Sequence, residues 1–534
     1  MKHHRKLIGA ALLAAALIFG MLFPGASAAQ AKTITGTLRF ASSADAMGVC
    51  EESRAVTAPF NYSDAWFGAP STVYNHNLAR MSLALQLSSW TAAHASNQGN
   101  ENARRLDNIG RTPAADYVHK LYRDIGFQPL QYFHYDVPLT DESDKVAFSL
   151  AEKWVNLNGS RFVILAMTPR GGNYGGEWVS NGNVGDGDAL AGFDAAGKEI
   201  VREIEKQLAA YPEGVTVKLW LNGYSRSGGA ANLAAGALDK AIAAGKLRVK
   251  KNDLFCYNFA VPLCTKDPGA NGTDYANIFN IINPVDVIMI APFRDWGFKR
   301  YGVGKYLQFL DEGPAFEALN AKYVKMFDET CDEGIDFTFH LTTQEQFRTL
   351  YLIDSLVPVF MDSTAGLMGF QDGMQNLIRS FFVQGRLMPD IENKDWQAVY
   401  EDILGKGDPL WRPVHLANSA LVLPVNFPAA LLGNGPDTID PALLSMIVCA
   451  LVRVGGALAE EPPDLLHIAG SLPEAASAIT VYMNSAPAEE EGEEPQGFTD
   501  NIRTAHSSES YWVLMGVPEK DAFGTGQLGN MKVT

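Results

Sequence analysis

Residues 215–236 constrain the fold of this chain more than any other stretch: Val-Thr-Val-Lys-Leu-Trp-Leu-Asn-Gly-Tyr-Ser-Arg-Ser-Gly-Gly-Ala-Ala-Asn-Leu-Ala-Ala-Gly. Val215 to Leu221 is β-prone and alternates, which predicts a strand. Asn222-Gly223 signals a turn. From Ser227 onward the residues are small and suit a helix that packs closely on the strand. A strand, a sharp turn carrying Gly223-Tyr224-Ser225 and a helix of small residues form the context in which a serine becomes a nucleophile. Such a turn is expected to hold the Ser225 hydroxyl exposed at the top of a sheet. The helix then aims its N-terminal amides and the positive end of its dipole at the reacting centre. Ser225 is therefore the candidate nucleophile of a hydrolase.

A Gly-x-Ser triplet alone is common by chance; the flanking strand and helix carry the reading. One departure concerns Gly-x-Ser-x-Gly, whose final glycine is Ser227 here. Ser227 is itself a competing nucleophile. It falls one step into the expected helix, however, where a hydroxyl tends to bond back to the backbone.

The formal net charge of the 534-residue chain is -17. That argues against nucleic acid and against electrostatic attraction to anionic lipid surfaces. Lys2, Arg5 and Lys6 precede an apolar run, Leu7 to Phe23, followed by Ala26-Ser27-Ala28 and Ala29-Gln30-Ala31. The pattern is that of a secretory signal peptide, expected over residues 1–31 and cleaved after Ala28 or Ala31. An uncleaved anchor is the alternative, but the run is short for a membrane span. No later stretch is apolar over enough residues to cross a bilayer. The mature chain is thus expected to be secreted or held at the cell envelope, with no stable transmembrane segment. Five cysteines (Cys50, Cys256, Cys264, Cys331 and Cys449) show no Cys-x-x-Cys spacing, so no metal site is expected. Export permits a disulfide, and Cys256 and Cys264 are the candidate pair.

Before the elbow, Asn75 to Ala93 and Tyr117 to Ile125 read as helices, and Tyr132 to Pro138 and Lys145 to Leu150 as edge strands. Arg161 to Met167 is a dense apolar run, as expected of a buried central strand. It leads into Thr168-Pro169-Arg170-Gly171-Gly172-Asn173-Tyr174-Gly175-Gly176, where glycines let backbone amides approach a ligand. In a serine hydrolase this loop supplies one oxyanion donor and the residue after the nucleophile supplies the other. The candidates are the amides of Gly171 or Gly172 and of Arg226. A plain flexible turn is the alternative for the loop. Asp188 to Tyr211 reads as an amphipathic crossover helix, so the order is βαβ and the sheet is parallel.

Leu254 to Val261 and Asn277 to Ile282 are further strands. Asp286 follows the second, at the carboxyl edge where an α/β sheet places its site. An acid there can orient an imidazole; Asp295 competes but suits a loop cap better. His340, His415, His467 and His506 lie beyond Asp286. His506 gains weight because hydrolases of this class run serine, acid, histidine along the chain. Residues 305–486 turn helical and Pro/Gly-rich, as expected of an inserted cap or lid. The glutamate-rich run from Pro487 to Pro495 reads as a solvated linker, and residues 487–534 return to the core. The core itself is assigned to residues 32–304.

Together these stretches resemble the lipase-like α/β-hydrolases, a bacterial group related to the class 3 lipases. The matching pieces are residues 170–178 with Ser180-Asn181, Gly223-Tyr224-Ser225-Arg226, Asn283-Pro284-Val285-Asp286-Val287, residues 296–302, and Ala505-His506 with Tyr511. Asn75-His76-Asn77-Leu78-Ala79 with Ser82 also fits. The resemblance covers residues 70–305 and about the last 35. It implies an α/β-hydrolase-type, mostly parallel doubly wound sheet with a helical insertion. It matches Ser225 to the nucleophile, Asp286 to the acid and His506 to the general base, with a small-molecule or lipid ester as substrate and no cofactor. Amide or thioester hydrolysis on the same triad is the alternative, as is a catalytically silent surface or binding protein with this fold. Acyl-chain preference and oligomeric state are beyond the sequence.

Overall fold

The computed structural model describes residues 33–41, 55–89, 115–133, 146–171, 187–290, 297–309, 313–330, 505–525, 527–528 and 531–532. The expected signal peptide, most of the insertion expected over residues 305–486 and the glutamate-rich run lie outside these residues.

In chain order, β1 (Thr33–Ala41) and β2 (Ala55–Ser63) pair antiparallel as a ribbon. The helix α1 (His76–Ser89) and the helix α2 (Ala115–Asp124) follow. Next come β3 (Gln128–Phe133), β4 (Phe148–Leu157) and β5 (Ser160–Pro169). Then α3 (Ala191–Ala210) crosses to β6 (Thr216–Tyr224), and α4 (Arg226–Ala243) crosses to β7 (Leu254–Phe259). The strands β8 (Ile278–Ile282) and β9 (Val303–Tyr306) precede the helix α5 (Pro314–Thr330) and a late helix, α6 (Ser508–Leu514). Strands β3 to β9 form one seven-stranded sheet in sequential order. The pairs β3–β4 and β4–β5 are antiparallel, and every pair from β5 to β9 is parallel. The fold is of the α/β-hydrolase type, a mostly parallel sheet with helices on both faces.

The strand sequences explain the layering. Side chains alternate between faces, and here both faces are buried. Phe162, Ile164, Ala166, Trp220, Tyr224, Phe255, Tyr257, Phe279 and Ile281 face α1, α2, α5 and α6. Val163, Leu165, Met167, Val217, Leu219, Leu221, Leu254 and Cys256 face α3 and α4. A strand covered on both sides has no polar face to show, hence the near-continuous apolar runs at 161–167 and 254–259. The helix α1 is wedged between the sheet and the other helices and is buried along almost its whole length, as expected of a helix with no polar side.

One reading at the sheet margin is corrected. The segment beginning near Lys145 is no short edge strand: β4 runs to Leu157 and lies between β3 and β5, while β3 forms the edge. Polar Glu152 and Lys153 broke the apolar pattern, but Lys153 is satisfied by an ion pair to Asp64 at 2.7 Å and lies over the Tyr62 ring. The link from β4 to β5 is the turn Asn158-Gly159, with φ of 53° and 79°. Two consecutive left-handed residues suit a two-residue hairpin between right-twisted strands.

Candidate active site

The turn after β6 is built around Ser225, whose φ of 52° and ψ of -124° are rarely adopted by an L-residue. The surroundings force this conformation. The Ser225 amide donates to Phe259 O at 3.0 Å, and its carbonyl accepts from the Gly229 amide at 3.0 Å. A Cβ on Gly223 would lie 2.4 Å from Ser227 O and 2.7 Å from Gly228 Cα, so only glycine lets the helix turn back on the strand here. The competitor Ser227 is fully buried in the first turn of α4. Its Oγ accepts from the Tyr224 amide at 2.9 Å, and its one proton is shared between Tyr224 O at 2.9 Å and Gln86 Oε1 at 3.3 Å.

Ser225, Asp286 and His506 meet. His506 Nδ1 lies 2.7 Å from Asp286 Oδ2, and Nε2 lies 2.9 Å from Ser225 Oγ. A carboxylate can only accept, so Nδ1 carries the proton and Nε2 of the neutral ring is free to accept from the serine hydroxyl. Asp286 has no exposed surface. Its Oδ1 accepts from the Ile288 amide at 3.0 Å, and its Oδ2 also accepts from Tyr511 Oη at 3.0 Å. Ser225, whose hydroxyl was expected to be exposed, is a buried residue that keeps 7% of its surface, and His506 keeps 8%.

Several residues without a role in the sequence reading hold His506 in place. Tyr224 Oη donates to His506 O at 2.8 Å, and Asn283 Nδ2 donates to Ala505 O at 2.9 Å. Ser507 caps α6 by accepting from the Ser510 amide at 3.1 Å. Arg300, buried, donates to Val261 O at 2.7 Å and to Met289 O, clamping the loops after β7 and β8 on either side of Asp286. His76 is structural, with Nε2 2.8 Å from Val517 O just beyond α6. Only the Ser507 cap is local; the partners of Tyr224, Asn283, Arg300 and His76 come from distant segments, so their contacts have no local sequence signature.

Of the candidate oxyanion donors, Gly171 is buried just past the end of β5, and the Arg226 amide opens α4 directly after Ser225. The Arg170 amide is held by Ala147 O at 2.7 Å. Gly172, Asp295, His340, His415 and His467 lie outside the described residues. Cys256 and Cys264 are free and buried, not paired. They project into a polar layer under α4, where Cys264 Sγ donates to Asn232 Oδ1 at 3.2 Å and Cys256 Sγ accepts from Asn258 at 3.3 Å. Burial pushes the Cys264 thiol up to about 12, which keeps it protonated and unreactive. No cluster of three or more histidine, cysteine, aspartate or glutamate side chains suited to a metal occurs among the described residues. No described helix is long and apolar enough to cross a membrane.

No family model and no curated protein matches the chain. Solved structures similar to it include the Rhizomucor miehei lipase propeptide complex, at 17% identity and a TM-score of 0.25, covering 35% of this chain and 58% of that one. A fungal lipase–inhibitor complex is similar at 17% identity and a TM-score of 0.29, covering 43% and 79%. The lipase of Rhizopus microsporus var. chinensis is similar at 18% identity and a TM-score of 0.26, covering 38% and 68%.

Proposed function

We propose that this chain is a secreted serine hydrolase that cleaves carboxylic esters through an acyl-enzyme. The observation that carries the reading is the unbroken relay from Asp286 through His506 to Ser225, with contacts of 2.7 and 2.9 Å and the serine on a strained strand-to-helix turn. His506 Nε2 takes the Ser225 proton as Oγ attacks the ester carbonyl. Asp286 keeps the imidazole in the required tautomer and offsets its positive charge. The amides of Gly171 (or Gly172) and Arg226 receive the oxyanion; loss of one such donor typically costs on the order of a hundredfold or more. His506 then returns the proton to the departing alkoxide, and water deacylates Ser225. Secretion rests on the basic and apolar pattern of residues 1–31.

The test is hydrolysis of p-nitrophenyl esters, from short to long acyl chains, by the purified mature protein beside Ser225→Ala and His506→Ala. Activity in the wild type that both substitutions abolish supports the reading, and the chain-length trend separates esterase from lipase. Equal inertness of the wild type and Ser225→Ala would sink it.

A further inference from the structure

Gln86 lies on α1 with no exposed surface. A buried amide is tolerated only when its donors and acceptor are engaged, and here they reach two strands and a helix. Its Nε2 donates to Pro169 O at 2.8 Å and to Asn222 Oδ1 at 2.6 Å. The orientation of the amide is fixed, because a backbone carbonyl can only accept. Its Oε1 faces Ser227 Oγ at 3.3 Å. Asn222 passes the connection on, donating to Thr168 Oγ1 at 3.0 Å, which meets Tyr122 Oη at 2.6 Å.

The position of this network matters more than its size. The parallel pairing of β5 with β6 ends at Met167 and Leu221. Beyond that point no ladder joins the two chains, yet Gly171 lies four residues past Met167 and Arg226 five past Leu221. Gln86 occupies this interval. It ties the carbonyl of Pro169, two residues before Gly171, to Asn222 and to Ser227, the residue after Arg226. Ser227 stands where the family resemblance expects glycine, and a glycine would give Gln86 Oε1 nothing to meet.

We propose that Gln86 is a positioning residue that sets the separation of the two oxyanion amides, and that Ser227 is its partner on the elbow side. The inference rests on the ester-hydrolase reading. Oxyanion donors act only when they lie about 2.7–3.1 Å from the developing charge. A misplacement of roughly 1 Å can cost about a hundredfold in rate. A residue that fixes the loop relative to the turn therefore acts on kcat, while ground-state binding of the substrate is left largely alone.

The test combines ester kinetics with amide hydrogen exchange on Gln86→Leu in the full mature chain. Gln86→Glu keeps the volume but replaces the donating amide, and it takes over if the leucine variant does not fold. The expected result is a kcat for p-nitrophenyl butyrate lowered by roughly ten- to a hundredfold, with KM within about twofold. Faster exchange at residues 168–171 accompanies it, with β7 and β8 still protected. A folded variant with wild-type kcat and unchanged exchange at 168–171 overturns the proposal. If the wild type cleaves no ester, the functional reading fails separately and exchange alone decides. Lost protection at 168–171 upholds the link through Gln86, and unchanged protection removes it.

Discussion

Tyr511 donates its hydroxyl to Asp286 Oδ2 at 3.0 Å, the same oxygen that faces His506 Nδ1 at 2.7 Å. The phenol oxygen accepts in turn from the Asn283 amide at 2.9 Å, so Tyr511 is fixed from both sides. Burial, and after it the Asp286 charge, push the Tyr511 phenol well above its ordinary value, so it remains a donor. Tyr511→Phe removes one charge-assisted hydrogen bond and leaves the ring packing in place. We expect about 1.5–3 kcal/mol less stability and a kcat lowered roughly tenfold, with KM little changed. Urea denaturation and ester kinetics measure the two effects.

The strain at Ser225 gives a second prediction. A non-glycine residue held at φ 52° costs of order 1–3 kcal/mol. Glycine accepts that conformation without a Cβ penalty, at some cost in chain entropy. Ser225→Gly should therefore be inactive yet more stable than Ser225→Ala by about 1 kcal/mol. Equal urea midpoints for the two variants would show that the turn is not strained.

Gly223 is predicted to tolerate no side chain. A methyl group there would meet backbone atoms at 2.4 and 2.7 Å, and backbone cannot swing aside as a flexible side chain can. Gly223→Ala should cost at least about 1–3 kcal/mol, as overpacking does. It should also displace Ser225 from His506, so activity falls even in the protein that folds. Melting temperature and kcat together report both effects.

A pH effect on stability is expected from Asp239, far from the chemistry. Burial raises its pKa from 3.8 to about 6, against the lowering effect of Lys251, 2.7 Å away. Between about pH 4 and 6 the folded state holds a proton that the unfolded state has released. This site therefore makes stability fall as pH rises through that window, by at most roughly 3 kcal/mol. Below pH 4 both states are protonated and the effect ends. Asp239→Asn should flatten the difference, gaining on the wild type at pH 8 relative to pH 4.5 in paired denaturation curves.

The sequence by itself determined what is local or periodic. Apolar runs at 161–167 and 254–259 marked strands buried on both faces, because a two-sided strand has no polar period. Gly223-Tyr224-Ser225 and the small residues after it encoded the turn, since a close helix–strand approach excludes side chains there. Asp286 was legible from its place just past a strand; chain order left four candidate histidines, and the resemblance at Ala505-His506 pointed to His506. The hairpin at Asn158-Gly159 was equally local in signal, yet the polar Glu152 and Lys153 before it hid the strand. Tertiary structure decided the rest. The 2.9 Å approach of His506 to Ser225 depends on the α6 segment docking through Tyr224 and Asn283. Gln86 lies 83 positions from Pro169 and 136 from Asn222. Nothing in its own neighbourhood distinguishes it from any helical glutamine. Hydrogen bonds between distant segments exist only once the sheet has brought those segments together, so no periodicity or motif could have announced them.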